Sequence, residues 1–332
     1  MKQKIAFVSV IIPALNEEKN IERCFKSLLE MDTPVDDYEV VLVDNGSTDR
    51  TIEIAGSFIG RLNLTILQVP GVKIAKLRNI GVQRSKGDIL AFVDADCTVC
   101  ASWVNNAVKY FDIASIGAVG SSCNVPQNYS WVATAWDLNN ATRRKLGKTE
   151  FLPTGNLFVA RNNFVKITGF DENLATNEDY DLCYRLRQQG LIIYSDPDIH
   201  VTHWGVPTDL ATFYKREVWH GTHVLKVFLN DIKKRKNFRA VSYSLYYDLA
   251  LAFFAISLLV FLISHKLLFF TAATIMILFP PAFLSFKTLK RRRFSFKYFI
   301  HLSVIYLVYG IARARSNLTV VNWMSIEKRQ AH

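Results

Sequence analysis

Three short apolar runs punctuate the first hundred residues, and each closes on polar turn residues. The run at 7–12 is broken by Pro13 and followed by Asn16-Glu17-Glu18, after which Ile21, Phe25, Leu28 and Leu29 recur at helical spacing. The run at 40–43 ends in Asp44-Asn45-Gly46-Ser47-Thr48-Asp49, a turn cluster leading into a second helical pattern. The run at 89–93 ends in Asp94-Ala95-Asp96. Continuous apolar runs of this length read as strands buried on both faces. Three strand-then-helix units within about 110 residues predict an α/β domain with a doubly wound, mostly parallel sheet flanked by helices. Asp44, Asp94 and Asp96 would share its carboxyl edge, where ligands of such folds bind.

Paired acids one residue apart at a strand end suit a divalent cation, because a hard ion such as Mg²⁺ sits between one or two carboxylates and substrate phosphates. The plainer alternative is a solvated acidic turn. Two further acidic turns on the same edge favour the metal.

The pattern changes toward the C-terminus. Residues 231–332 hold 16 Lys/Arg against 3 Asp/Glu, a formal +13, so residues 1–230 carry −2 of the whole chain's +11. A basic chain raises the question of nucleic acid, but this basicity is interrupted by uncharged stretches at 249–264 and 267–286. With the Tyr-rich lead-in Tyr243, Tyr246 and Tyr247, which suits an interface belt, the two stretches have the length of a membrane hairpin. Nucleic acid is therefore not expected as a partner. Pro280-Pro281 would kink the second span. A third stretch at 296–312 is shorter and contains His301. It suits a tilted third span or a helix lying in the interface; a third span is preferred, giving three spans instead of two, although spanning would export Arg313, Arg315, Lys328 and Arg329. Basic blocks at 233–236 and 290–293 flank the hairpin and should stay cytoplasmic, which keeps residues 1–230 on that side.

Several motifs together resemble family-2 glycosyltransferases of the GT-A fold. They are Ser9-Val10-Ile11-Ile12-Pro13-Ala14-Leu15-Asn16-Glu17, the Asp44 to Asp49 turn, Ala91-Phe92-Val93-Asp94-Ala95-Asp96, Thr154-Gly155-Asn156, Gly169-Phe170-Asp171-Glu172 and Glu178-Asp179-Tyr180-Asp181. The resemblance covers roughly residues 5–225 and implies a Rossmann-like GT-A domain followed by transmembrane helices. It implies that Pro13, Asn16 and Glu17 border the nucleotide base and that Asp44 accepts a hydrogen bond from it. Asp94 would lie near the ribose, and Asp96 would bind the Mg²⁺ or Mn²⁺ that bridges the two phosphates. Lys73, Lys76 and Arg78 are candidates to assist at the diphosphate. A solvated helix face accounts for two of them, and Arg78 is preferred as part of an Arg-Asn pair.

Glu178, Asp179 and Asp181 follow Asn177, which reads as a helix cap with acids in the first turn. The resemblance adds an acceptor-side role, with Asp179 ahead of Asp181 as general base and Glu178 beside it. His200 and His203 share the three-residue spacing of His220 and His223. Nothing in the sequence brings three or four ligands together as a zinc site needs. His203, beside Trp204, is the candidate for an extra metal ligand, with histidines lining a partly buried loop as the alternative. Five cysteines, an odd number, read as free thiols in a reducing compartment.

The N-terminal residues superficially resemble a secretory signal, but the apolar run is short, contains Pro13 and coincides with the first strand. Processive polysaccharide synthases share the fold with a Gln-x-x-Arg-Trp pattern. The corresponding stretch here, residues 213–219, lacks a Gln at that spacing, so transfer of a single sugar is expected. The organisation expected is a cytoplasmic GT-A domain at 1–230, a basic juxtamembrane segment at 231–243, a membrane region at 244–315 with spans at about 244–264, 267–286 and 296–312, and a tail at 316–332. The function expected is metal-dependent, inverting transfer from a nucleotide-diphosphate sugar to a polyprenyl-linked or other membrane acceptor, in cell-envelope glycan or polysaccharide synthesis at the inner membrane. A polyprenyl-phosphate sugar synthase and a non-catalytic scaffold of a glycan assembly complex are the alternatives.

Overall fold

A computed structural model describes residues 6–127, 129–141, 144–174, 176–230, 238–265, 267–290 and 294–330, with the side chains of 222–230, 238–240 and 318–330 left out. The chain divides into two compact units: Met1–Gln127 with Asn140–Val206, and Asn128–Asn139 with Pro207–His332. The division falls earlier than the expected boundary at 230.

The first unit is built on an eight-stranded sheet. Its strands are β1 (Val8–Ala14), β2 (Tyr38–Asp44), β3 (Leu64–Gln68), β4 (Ile89–Phe92), β6 (Ile116–Gly120), β7 (Gly147–Thr149), β8 (Leu157–Ala160) and β9 (Ile192–Ser195), in the order β3-β2-β1-β4-β8-β6-β9-β7. The first four neighbours are parallel, as the apolar runs predict. Beyond β4 the sheet becomes mixed: β8 is antiparallel to β4 and β6, β9 is parallel to β6, and β7 is antiparallel to β9. A separate ribbon pairs β5 (Cys97–Val99) with β10 (Val201–His203).

Period-2 alternation divides each central strand between two cores. Val8, Val10 and Ile12 face one apolar cluster with Phe25 and Leu28 of α1 (Ile21–Leu29) and Trp103 and Val104 of α4 (Trp103–Val108). Ile11, Val41 and Val43 face another, with Leu77 and Val82 of α3 (Ile74–Arg84), Phe164 of α6 (Arg161–Lys166) and Leu182 and Leu186 of α7 (Glu178–Gln188). The short α2 (Thr51–Gly56) follows the Asp44 turn. Pro13 sits within β1 rather than ending it. β1, which a signal reading would remove, is thus buried throughout its length.

Registers fix the site's edge. Ala14 lies opposite Asp44 and Ile11 opposite Phe92, so the ends of β1, β2 and β4 emerge side by side.

The second unit is helical. It contains α5 (Trp131–Asn140), α8 (Leu210–Asn230), α9 (Phe238–Ser264), α10 (Leu267–Leu289) and α11 (Phe296–Gln330). Trp136 of α5 packs its ring on Phe213 of α8 and Tyr309 of α11. Val241–Ser264 and Leu267–Leu289 are long and apolar enough to be candidate membrane spans, and among the described residues they are the two that qualify. α11 continues unbroken past the expected ends at 312 and 315. The belt tyrosines are used between helices: the Tyr246 and Tyr247 hydroxyls donate to the carbonyls of Met276 and Ile277, and Tyr243 to that of Tyr306. Pro280 and Pro281 lie within α10, which remains one helix. The basic residues at 231–237 and 291–293 lie outside the described residues.

Candidate active site

The two loops at the ends of β1 and β2 are stapled together. Asn16, at a left-handed φ of 56°, accepts from Thr48 N at 2.9 Å through its side chain, and its own N–H donates to Ser47 Oγ at 2.8 Å. Asp44 is buried and commits both carboxylate oxygens to the turn after it, taking Gly46 N and Ser47 N at 2.9 Å and the Ser47 hydroxyl. Between these loops and β4 opens a cavity of ≈ 290 Å³ lined by Pro13, Glu17, Asn45, Leu77, Asp94 and Asp96 among others. Four of the residues singled out from sequence therefore share one wall. Asp44 stands behind it, holding the turn.

Arg78 joins this cavity to the acids of α7. Its guanidinium is 1% exposed and donates to Asp94 Oδ1 at 2.8 Å and to Glu178 Oε1 at 2.6 Å. Burial works against its charge, and the two carboxylates more than offset this, raising its pKa. The neighbouring Asn79 clamps the loop after α6, accepting from Phe170 N and donating to Phe170 O and Glu172 Oε1. Lys73 and Lys76 are spent elsewhere, on the Asn173 carbonyl and on Glu172.

Asn177 takes the cap position of α7 with a left-handed φ of 62°, and its side chain makes no capping bond. That corrects the expected cap: the first-turn acids are left to other partners. Asp181 pairs with Arg185 one turn on at 2.7 Å. Asp179 takes only the Tyr180 N–H among the described residues. Burial first, and then the charge of Glu178, push its pKa up to about 7, against the pull of that N–H and of Arg78.

His203 reaches Asp96 because β10 pairs antiparallel with β5, with His203 opposite Cys97. Its Nε2 lies 2.9 Å from Asp96 Oδ2. Burial disfavours the imidazolium, but the bond and charge of Asp96 prevail and raise His203 to about 9. In turn His203 holds Asp96 below the ordinary carboxylate range despite its burial. Ligand atoms of Asp96, Cys97 and His203 all lie within 4.8 Å of one another. Asp94, the other expected ligand, is turned to Arg78. Gly205 carries the Asp96 carboxylate on its bare Cα: a Cβ there would sit 1.8 Å from Oδ2. Sequence reasoning takes Cys97 for a plain free thiol and misses Gly205, although Gly205 lies two residues after His203. His200 bonds to Asn124 and stays apart from this cluster. All five cysteines are free.

The donors fit a divalent ion with mixed oxygen and nitrogen preference. Asp96 Oδ2 and His203 Nε2 are an oxygen and a nitrogen donor of the kind such an ion takes, and an ion binding there would displace the proton the two now share.

Fold and site together define an α/β domain of the GT-A type. Two family models match the chain, "Glycosyl transferase family 2" over residues 9–165 and "Glycosyl transferase family group 2" over residues 92–289. The chain belongs to the family-2 glycosyltransferases and is a glycosyltransferase. It is 31% identical over 240 residues to glycosyltransferase AglE of Haloferax volcanii, covering 70% of this chain and 77% of that one. It is 28% identical over 228 residues to the beta-monoglucosyldiacylglycerol synthase of Nostoc, covering 65% of this chain and about half, 48%, of the relative. Its fold is similar to that of mannosyltransferase PcManGT from Pyrobaculum calidifontis, solved with GDP-Man and Mn²⁺, with a TM-score of 0.62, 20% identity and coverage of 94% and 87% of the two chains.

Proposed function

We propose that the protein transfers one sugar from a nucleoside-diphosphate sugar to a lipid-linked acceptor, with inversion at the anomeric carbon. The observation that carries this reading is the double ion pair of Arg78, which ties Asp94 on the donor cavity to Glu178, the neighbour of Asp179. Pro13, Asn16 and Glu17 would frame the base, with Asp44 fixing the turn above it and Asp94 beside the ribose. Asp96 and His203, with Asp94 close by, would hold a Mg²⁺ or Mn²⁺ ion. Such an ion, when bound, supplies positive charge where the diphosphate leaves.

Asp179 is the general base. The acceptor oxygen forms its bond to the anomeric carbon as the bond to the diphosphate breaks, and its proton passes to the Asp179 carboxylate. One displacement inverts the centre. A base poised near neutrality is suited to this step. Arg78 bonds Glu178 and Asp94, and its charge lowers the raised pKa of Asp179 without cancelling the rise. The relatives support the acceptor class by name, one being a diacylglycerol glycosylating enzyme. The two candidate spans support anchoring in a membrane, and the basic blocks flanking them in sequence support a cytoplasmic active site at the inner membrane. Cell-envelope glycan synthesis is the setting that fits these parts.

Product stereochemistry tests the reading. Proton NMR of the product should show the anomeric configuration opposite to that of the donor, and Asp179→Asn should abolish transfer while donor binding persists. Retention of configuration, or near-normal transfer by a folded Asp179→Asn, would refute it.

A further inference from the structure

A second cavity, of ≈ 440 Å³, lies in the first unit beside the edge strand β7. Ser122, just past β6, and Ser195, at the end of β9, line it together with Lys145, Lys148, Thr149 and Phe151. β8 is antiparallel to both β4 and β6, and β9 is parallel to β6, so β4, β6 and β9 all run the same way. The cavity therefore opens on the same carboxyl edge of the sheet as Asp94 and Asp96, a few strands further along.

Two features suit it to an anionic ligand. Ser195 is 2% exposed, and its hydroxyl, like that of Ser121 next to Ser122, has no hydrogen-bond partner among the described residues. A buried polar group left unpaired is costly, and a ligand that draws the Ser195 hydroxyl to the cavity would offset that cost. Lys145 and Lys148 are exposed and have no ion-pair partner among the described residues, and Glu150 is the single acid on the lining. Two ammonium groups without an acidic partner among the described residues, on a cavity with an unpaired hydroxyl buried in its wall, are a set for oxyanion oxygens.

The cavity also touches the helix that carries the base. Phe151 packs its ring edge-on to Tyr180, the residue after Asp179, at 5.7 Å, and the Cys183 thiol donates to the Leu152 carbonyl. The acids of the donor cavity and of α7 are not part of its lining. A group bound there would flank the reaction and not enter it.

We infer that this cavity is an oxyanion subsite for the acceptor, holding a phosphate or diphosphate that the acceptor carries away from its attacking hydroxyl. The inference rests on the proposed function for the role of Asp179. It assigns the acceptor as a phosphorylated saccharide, not a bare prenyl phosphate whose own oxygen attacks.

The test is binding, so it does not depend on turnover. The full chain in lipid nanodiscs, carrying Asp96→Ala and kept in EDTA to weaken diphosphate binding at the donor site, is titrated calorimetrically with pyrophosphate, geranyl diphosphate and geraniol. Both diphosphates should bind and geraniol should not. Equal affinities would mean that the oxyanion alone is read, and tighter geranyl diphosphate would mean that the lipid-borne source is preferred. Adding Lys145→Ala and Lys148→Ala should weaken binding at least tenfold, and Ser195→Ala about threefold. No diphosphate binding, or binding indifferent to all three substitutions, overturns the inference. With the unsubstituted chain, loss of transfer from every donor alongside intact diphosphate binding would sink the proposed function and leave the subsite standing.

Discussion

Replacing Arg78 with methionine removes a buried charge and leaves its partners in place. The Glu178 side chain is 10% exposed and the Asp94 side chain 32% exposed. Glu178 is therefore the partner stranded in low dielectric, while water can screen Asp94. Breaking a buried pair from one side typically costs about 3–5 kcal/mol, a loss of order 10 °C in melting temperature for a domain of this size. Intrinsic-fluorescence melting of the full chain in detergent should show that loss for Arg78→Met. The double variant Arg78→Met, Glu178→Gln, which removes both charges, should recover at least half of it. Because the Arg78 charge lowers the Asp179 pKa, the acid limb of the rate profile should also move to higher pH in Arg78→Met. A melting temperature within about 2 °C of the parent, or a double variant no better than the single one, would refute the reasoning that Arg78 holds the two halves of the site together.

Other expectations follow from single contacts. With Asp179 near 7, kcat/KM should be fully developed above that pH and fall about tenfold per unit below it, because the base must be ionised; a flat profile between pH 5 and 8 would exclude Asp179. Gly205→Ala places a methyl group against the Asp96 carboxylate and should weaken Mn²⁺ binding about 10- to 100-fold, read by calorimetry, with the melting temperature little changed. In the second unit, Glu217 pairs with Arg313 at 2.7 Å, and two further guanidinium nitrogens of Arg313 are buried without partners among the described residues. Glu217→Leu should therefore destabilise by about 3–5 kcal/mol, whereas Glu217→Leu with Arg313→Met should be close to neutral.

Much of the donor half was legible in the chain because its signals are local. β1, β2 and β4 are continuous apolar runs, and the acids follow them directly, so parallel order alone brings Asp44, Asp94 and Asp96 to one edge. The link from Asp96 to His203 was suggested by the family resemblance and was not legible in any local pattern. It depends on two three-residue strands, too short for any periodicity, whose register is fixed by pairing across about a hundred residues. Arg78 was set apart from Lys73 and Lys76 by the Arg-Asn pair of the resemblance alone, and only the packing of α3 shows it buried between two acids. Asn177 carried a capping residue's identity but has a left-handed backbone, and its side chain makes no capping bond. The antiparallel half of the sheet was hidden for a similar reason: β7 and β8 are short, and no strand–helix alternation announces them. Likewise α5 reads as part of the first domain by position, yet Trp136 packs with α8 and α11.

The most direct test of the central claim is nucleoside-diphosphate release from a panel of UDP-, GDP- and dTDP-sugars, using membranes bearing the protein, Mg²⁺ or Mn²⁺ and a lipid-extract acceptor. The account predicts release from one donor class that requires metal and acceptor and is lost in Asp96→Ala. Release that persists in Asp96→Ala or in excess EDTA would contradict it, as would a folded protein that neither turns over nor binds any donor of the panel.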